Sequence, residues 1–181
     1  MPVIDSYSHT NQDASYAMNA AGMQIGQSFT GDGSSLEKAS FYLGKSGSPT
    51  GQVTAKLYAH SGTFGSGGVP TGAALATSNA IQHSAIGASL AWHEFTFPTP
   101  YSLGNGTKYF IAVETSQGSF DRITMGYDGS SPTHAGNSAI WNGSWSAQTT
   151  DVIFSVEGSA SSASRPRFLG MNQAVRRGSF Y

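Results

Sequence analysis

The segment 127–145 gathers the side chains best suited to chemistry: Tyr127, Asp128, His134, Asn137, Trp141, Asn142 and Trp145. A sugar ring has an apolar face and a polar edge, so its site needs a flat aromatic surface beside hydrogen-bonding groups. Glycan binding is therefore expected here, carried by Tyr127, Asp128, Trp141, Asn142 and Trp145. Structural calcium is a further expectation. Sandwich domains clip loops with Ca²⁺ held by carboxylates and carbonyls, and Asp5, Asp32, Asp128 and Asp151 fall at loop edges without EF-hand spacing. Asp32 and Asp128 each precede a glycine, so turn formation accounts for them equally well.

Catalytic patterns are thin. His9, His60, His83, His93 and His134 form no HxH or HxxxH pair, so each reads as a surface or turn residue. There is no GxSxG elbow, and the Gly-rich stretch 62–68 lacks the Lys-Ser/Thr that phosphate cradling needs. Glu94, Glu114 and Glu157 lie on predicted strands, with Asp121 and Asp128 flanking another. Because carboxylate pairing is spatial, a small glycan hydrolase stays open as a third reading. No catalytic residue is assigned, and no cofactor beyond calcium is expected.

The elements that must position these groups are strands. In residues 52–59, Val53, Ala55, Leu57 and Ala59 alternate with Thr54, Lys56 and Tyr58, the period of a half-buried strand. The same pattern aligns Ala39, Phe41 and Leu43, then Tyr109, Ile111 and Val113, then Val152, Phe154 and Val156. Weaker strands are read at 24–30, 74–78, 90–97 and 121–127, while 12–23 could make a short turn or helix. Gly- and Pro-rich separators supply the turns. Asn142-Gly143 predicts a two-residue hairpin turn. That register sets Trp141 opposite Ser144 and Ile140 opposite Trp145, with the two tryptophans on opposite faces. The fold class expected is all-β: an antiparallel β-sandwich of jelly-roll type with about 8–10 strands and extended termini. Residues 1–22 read as an N-terminal extension or first strand, 23–158 as the sandwich and 159–181 as a basic arm.

Composition narrows the setting. The chain has 181 residues, 10% of them charged, and no cysteine, which excludes disulfides and thiol chemistry. No apolar stretch approaches the length of a membrane span. Residues 1–158 hold all ten acids and five bases, a net charge of −5; residues 159–181 hold four arginines and no acid, a net charge of +4. Arginine with aromatic residues is the composition of interface hot spots. The arm is thus read as a docking segment through Arg165, Arg167, Phe168, Arg176, Arg177, Phe180 and Tyr181. Nucleic acid is a minor option, since no folded basic surface is apparent.

The strings QSFTGDGSSLEKASFYLGKSGSPTGQVTAKLYAHSG and GVPTGAALATS resemble a β-sandwich domain recurrent in phage structural proteins and bacterial surface proteins. FTFPTPYSLGNGTKYFIAVE and DGSSPTHAGNSAIWNGSW fit the same likeness, which covers roughly residues 5–158. Such domains resemble carbohydrate-binding jelly rolls, and the resemblance brings no catalytic residue set to carry over. Residues 1–25 show neither a basic start nor a 7–15-residue apolar run, so no secretory signal is expected. The resulting expectation is a non-enzymatic structural or decorating component of a virion, of the tailed-phage kind, made in the host cytoplasm. Its partners would be capsid or tail subunits, further copies of itself and a host surface glycan. A free-standing carbohydrate-binding adhesion module is the alternative.

Overall fold

The computed structural model describes residues 1–118 and 120–160. The docking residues expected between Arg165 and Tyr181 lie outside the described residues. In chain order the strands are β1 (Val3–Tyr7), β2 (Ala14–Met18), β3 (Gln24–Thr30), β4 (Ser35–Ser46), β5 (Gln52–Ser61), β6 (Val69–Thr77) and β7 (Ile81–Gln82). Then follow β8 (Ala91–Ser102), β9 (Lys108–Thr115), β10 (Arg122–Asp128), β11 (Ser138–Trp141), β12 (Trp145–Ala147), β13 (Asp151–Val152) and β14 (Phe154–Ser159).

These strands form two antiparallel seven-stranded sheets. One contains the row β2–β10–β4–β8, the other the row β3–β9–β5–β6. Successive strands β2, β3, β4 and β5 alternate between the sheets, as do β6, β8, β9 and β10. This eight-stranded, two-sheet winding is a jelly roll. The remaining strands are additions to it. β11 and β12 extend the second sheet beyond β3, while β1, β13 and β14 fill out the first. The sequence expectation of 8–10 strands matches the winding and undercounts the additions. Residues 12–23 make strand β2 and a turn, not a helix.

The period-two faces predicted from sequence line the core. Ala39, Phe41, Leu43, Val53, Ala55, Leu57, Ile111, Val113, Val152, Phe154 and Val156 are all fully buried. A second, smaller cluster lies on the outer face of the second sheet, where Tyr58, Phe110, Ala112 and Ala139 pack with Val69 and Trp145. It explains why β9 is buried on both faces from Tyr109 to Val113. Small residues make room for it: Ala139, Gly26 and Ala112 stand in one cross-strand row. A Cβ on Gly26 would strike the Ile111 carbonyl and Ala112. Gly26→Val should therefore destabilise the fold by about 3 kcal/mol or more, as overpacking against backbone does. Urea unfolding would measure this, and a loss below 1 kcal/mol would contradict the packing argument.

Histidines turned toward the interior, one buried and two half-buried, are a departure from expectation. His83 is fully buried, and His93 points to the core side of β8 beside Phe41. His60 stacks on Phe110, with ring centroids 5.6 Å apart. Burial lowers the pKa of all three below the usual histidine value.

Candidate functional site

Trp141 and Trp145 stand on one face, not on opposite faces. Strands β11 and β12 pair Trp141 directly with Trp145, leaving the three-residue loop Asn142-Gly143-Ser144. The reason is conformational. A two-residue type I′ turn needs positive φ at both central residues, and here only Gly143 has it, at +88°. The extra loop residue shifts the register by one, which carries Trp145 to the face that Trp141 already occupies. Ile140 takes the other face and packs on the main core. The rings of Trp141 and Trp145 lie 5.6 Å apart at 57°.

Together they wall a groove of about 400 Å³ on the outer face of the second sheet, completed by Gln24, Tyr58, Pro70, Thr71 and Gly72. Trp145 meets Tyr58 edge-on at 6.0 Å. The cross-strand row Trp141–Gln24–Glu114–Thr54 borders it. Tyr58 donates its hydroxyl to Gln24 Oε1 at 2.8 Å, which leaves the Gln24 amide nitrogen as a donor with no partner among the described residues. Burial pushes the Tyr58 phenol above its ordinary value, so it remains a neutral hydroxyl. Beside the groove, Lys56 holds Glu114 at 2.7 Å. The chemistry on offer is stacking plus neutral hydrogen bonding, at a volume within the range of small-ligand sites.

Tyr58 and Gln24 are the site residues that sequence reasoning missed. Tyr58 left a trace, as an aromatic on the polar face of a clean strand. Gln24 left none, because its relevance comes from pairing with β11, more than a hundred residues away.

Other expected site residues lie elsewhere. Asn142 sits in the exposed hairpin loop beside the tryptophans. Tyr127 stacks on Tyr16, with centroids 3.9 Å apart, across the β10–β2 pair. Asp128 is buried and accepts from the Tyr7 hydroxyl at 2.6 Å and the Ser131 N–H at 2.9 Å. Neither lines the tryptophan groove, so the expected glycan-binding set separates into two places.

Asp128 belongs to a buried polar network that ties the sheets together at one end. Asp151, paired with Asp128 in register, accepts from Gln27 Nε2 and from the His134 N–H, each at 2.8 Å. Gln27 Oε1 in turn accepts the Val152 N–H at 2.9 Å. His134 Nδ1 accepts from the Gly136 N–H at 3.0 Å, so the ring proton sits on Nε2 and is donated to Asp5 Oδ1 at 3.2 Å. Burial holds the Asp151 carboxyl above its usual range.

Three of the calcium candidates, Asp5, Asp128 and Asp151, thus take part in this network as acceptors of internal hydrogen bonds. The fourth, Asp32, stands apart and accepts the Ser34 N–H at 2.9 Å, an Asx turn. Among the described residues no group of three or more His, Asp or Glu side chains is arranged to hold a metal. Of the acids weighed for hydrolysis, Glu94 pairs with Lys38 at 2.7 Å and Glu114 with Lys56. No helix among the described residues is long and apolar enough to cross a membrane. No family model matches the chain and no curated protein matches it, so the likeness to phage and bacterial-surface sandwich domains rests on the quoted segments alone.

Proposed function

We propose that this chain is a non-catalytic binding module whose outer sheet face takes a neutral saccharide in the groove of Trp141, Trp145, Tyr58 and Gln24. The observation that carries this reading is the same-face tryptophan pair at 5.6 Å, standing beside an amide donor with no partner among the described residues. Two apolar ring faces and a few convergent polar groups suit a pyranose. A body with a net charge of −5 disfavours anionic sugars.

The setting we propose is a virus particle of the tailed-phage kind, with the groove displayed outward to a host surface glycan and copies held by contacts between subunits. Jelly rolls serve both viral capsids and lectins. The +4 segment on a −5 body also suits assembly with acidic neighbours. Mass spectrometry of purified particles would test the setting: absence of the chain from them would overturn it.

For the groove, the chain is titrated calorimetrically with cellohexaose, maltohexaose, mannohexaose and chitohexaose. At least one should bind. Trp141→Ala should then weaken binding by about 30-fold or more, the scale of an aromatic hot spot, with little change in melting temperature. Silence across the four probes would overturn the saccharide reading.

A further inference from the structure

The tryptophan groove does not use the third tryptophan. The chain has three, and none is among the buried core residues. Trp92 is 41% exposed, on the outer face of the opposite sheet. A large aromatic held outside the core on a rigid strand calls for an explanation.

Its surroundings supply one. Strands β1, β14, β4 and β8 lie side by side, and their register aligns Ser6, Ser155, Ser40 and Glu94 in one row. The flanking residues Tyr7, Phe154, Phe41 and Phe95 are buried, so alternation turns the row outward. At about 4.8 Å per strand, the three serines span roughly 10 Å. Their hydroxyls have no hydrogen-bond partner among the described residues. Along one flank of the row, Tyr42 pairs with Trp92 across the strands, rings 5.6 Å apart and edge-on. His9 closes over both, at 5.5 Å from Tyr42 and 6.1 Å from Trp92. Along the opposite flank, Glu157 stands in register with Lys38, which is paired with Glu94. The open groove measures about 400 Å³, and its lining includes Ser6, Ser8, Ser40, Ser155, Trp92 and Glu157.

We propose that this outer face is a second saccharide site, separate from the Trp141/Trp145 groove. It takes a neutral oligosaccharide lengthwise across the strands, with hydroxyls on the Ser6–Ser155–Ser40 row and one ring against Trp92. The unpaired hydroxyls match a polyhydroxyl ligand in both donor and acceptor sense. Glu94 and Glu157 at the rim repel uronic and sialic acids. Because the two grooves face away from each other on opposite sheets, one chain could grip two glycan strands, and avidity follows without further contacts.

The test uses the full chain and the same four hexasaccharides. Calorimetry should give two sites per chain for the unaltered protein and one for Trp92→Ala. Trp92 is exposed, so that variant should keep its melting temperature. Ser40→Ala should weaken the same site by about 3–10-fold, the effect of one hydrogen bond. Loss of binding with Trp141→Ala but not with Trp92→Ala would overturn this proposal and leave the first site standing. Loss with Trp92→Ala alone would support this site and remove the first. A Trp92 emission shift on deleting residues 160–181, without any response to the sugars, would assign the face to the chain's own C-terminal segment and overturn the proposal.

Discussion

Replacing Gln27 by Ala should cost about 3–5 kcal/mol of folding stability, although Gln27 touches no groove. The residue lies on the core side of β3 and is fully buried. Its amide makes three contacts at once: Oε1 accepts the Val152 N–H at 2.9 Å, while Nε2 reaches Asp151 Oδ1 at 2.8 Å and His134 Nδ1 at 3.2 Å. Val152 and Asp151 belong to the opposite sheet, so this one side chain fastens the two layers. Truncation leaves a buried N–H and a buried carboxylate short of partners, at about 1–3 kcal/mol for each group. In a domain of this size the loss corresponds to about 6–20 °C in melting temperature. Gln27→Met separates the causes, because it keeps the volume and removes only the polar atoms. If Gln27→Met stays within 1 kcal/mol of the unaltered protein in urea, the hydrogen-bond account fails.

Stability should also fall as the pH is lowered from about 7.5 to 5. His60, His83 and His93 carry ring nitrogens that are buried without a partner among the described residues, and burial depresses the pKa of each. The unfolded chain takes up these protons near the ordinary value of about 6.5, whereas the folded chain resists until lower pH. Stability is thus fully present above 6.5 and drains away as pH falls toward the folded values. The slope is at most about 1.4 kcal/mol per pH unit for each histidine. Asp151 acts with the opposite sign. Its raised pKa lets the fold accept a proton more readily than the unfolded chain, which offsets part of the loss as pH falls toward about 4. Denaturant midpoints between pH 7.5 and 5 would record the effect. His93→Phe loses no hydrogen bond at Nε2 and should flatten the curve; a midpoint constant over that range would refute the account.

The parts of the fold that were legible in sequence share one property. Val53, Ala55 and Leu57, or Val152, Phe154 and Val156, each declare a buried face through local alternation alone. Strand β2 did not, since Ala14–Met18 mixes polar and small residues and gains its burial from pairing with β10. The outer cluster was hidden for a related reason: Phe110 and Ala112 sit on what reads as the solvent face until Trp145 covers it. In the candidate site, Trp141 and Trp145 were visible as residue types, but their shared face was not. It depends on Asn142 lacking a left-handed conformation, a property of the folded loop and not of the Asn-Gly pair. Tyr127 and Asp128 were drawn to the site by proximity in sequence, and the fold sends them to another end of the sandwich.

The three-residue loop at 142–144 also sets how readily this surface can change over generations. Strand faces alternate, so losing a single codon there would turn Trp145 toward the opposite side, while restoring it would bring the pair back. No residue of the main core needs to mutate, because β12 is an edge strand and its Trp145 rests on the separate outer cluster of Tyr58, Phe110, Ala112 and Ala139. A lineage carrying this fold could therefore abandon or regain the paired platform in one small genetic step, keeping the main core intact while the outer cluster is uncovered and ligand preference drifts.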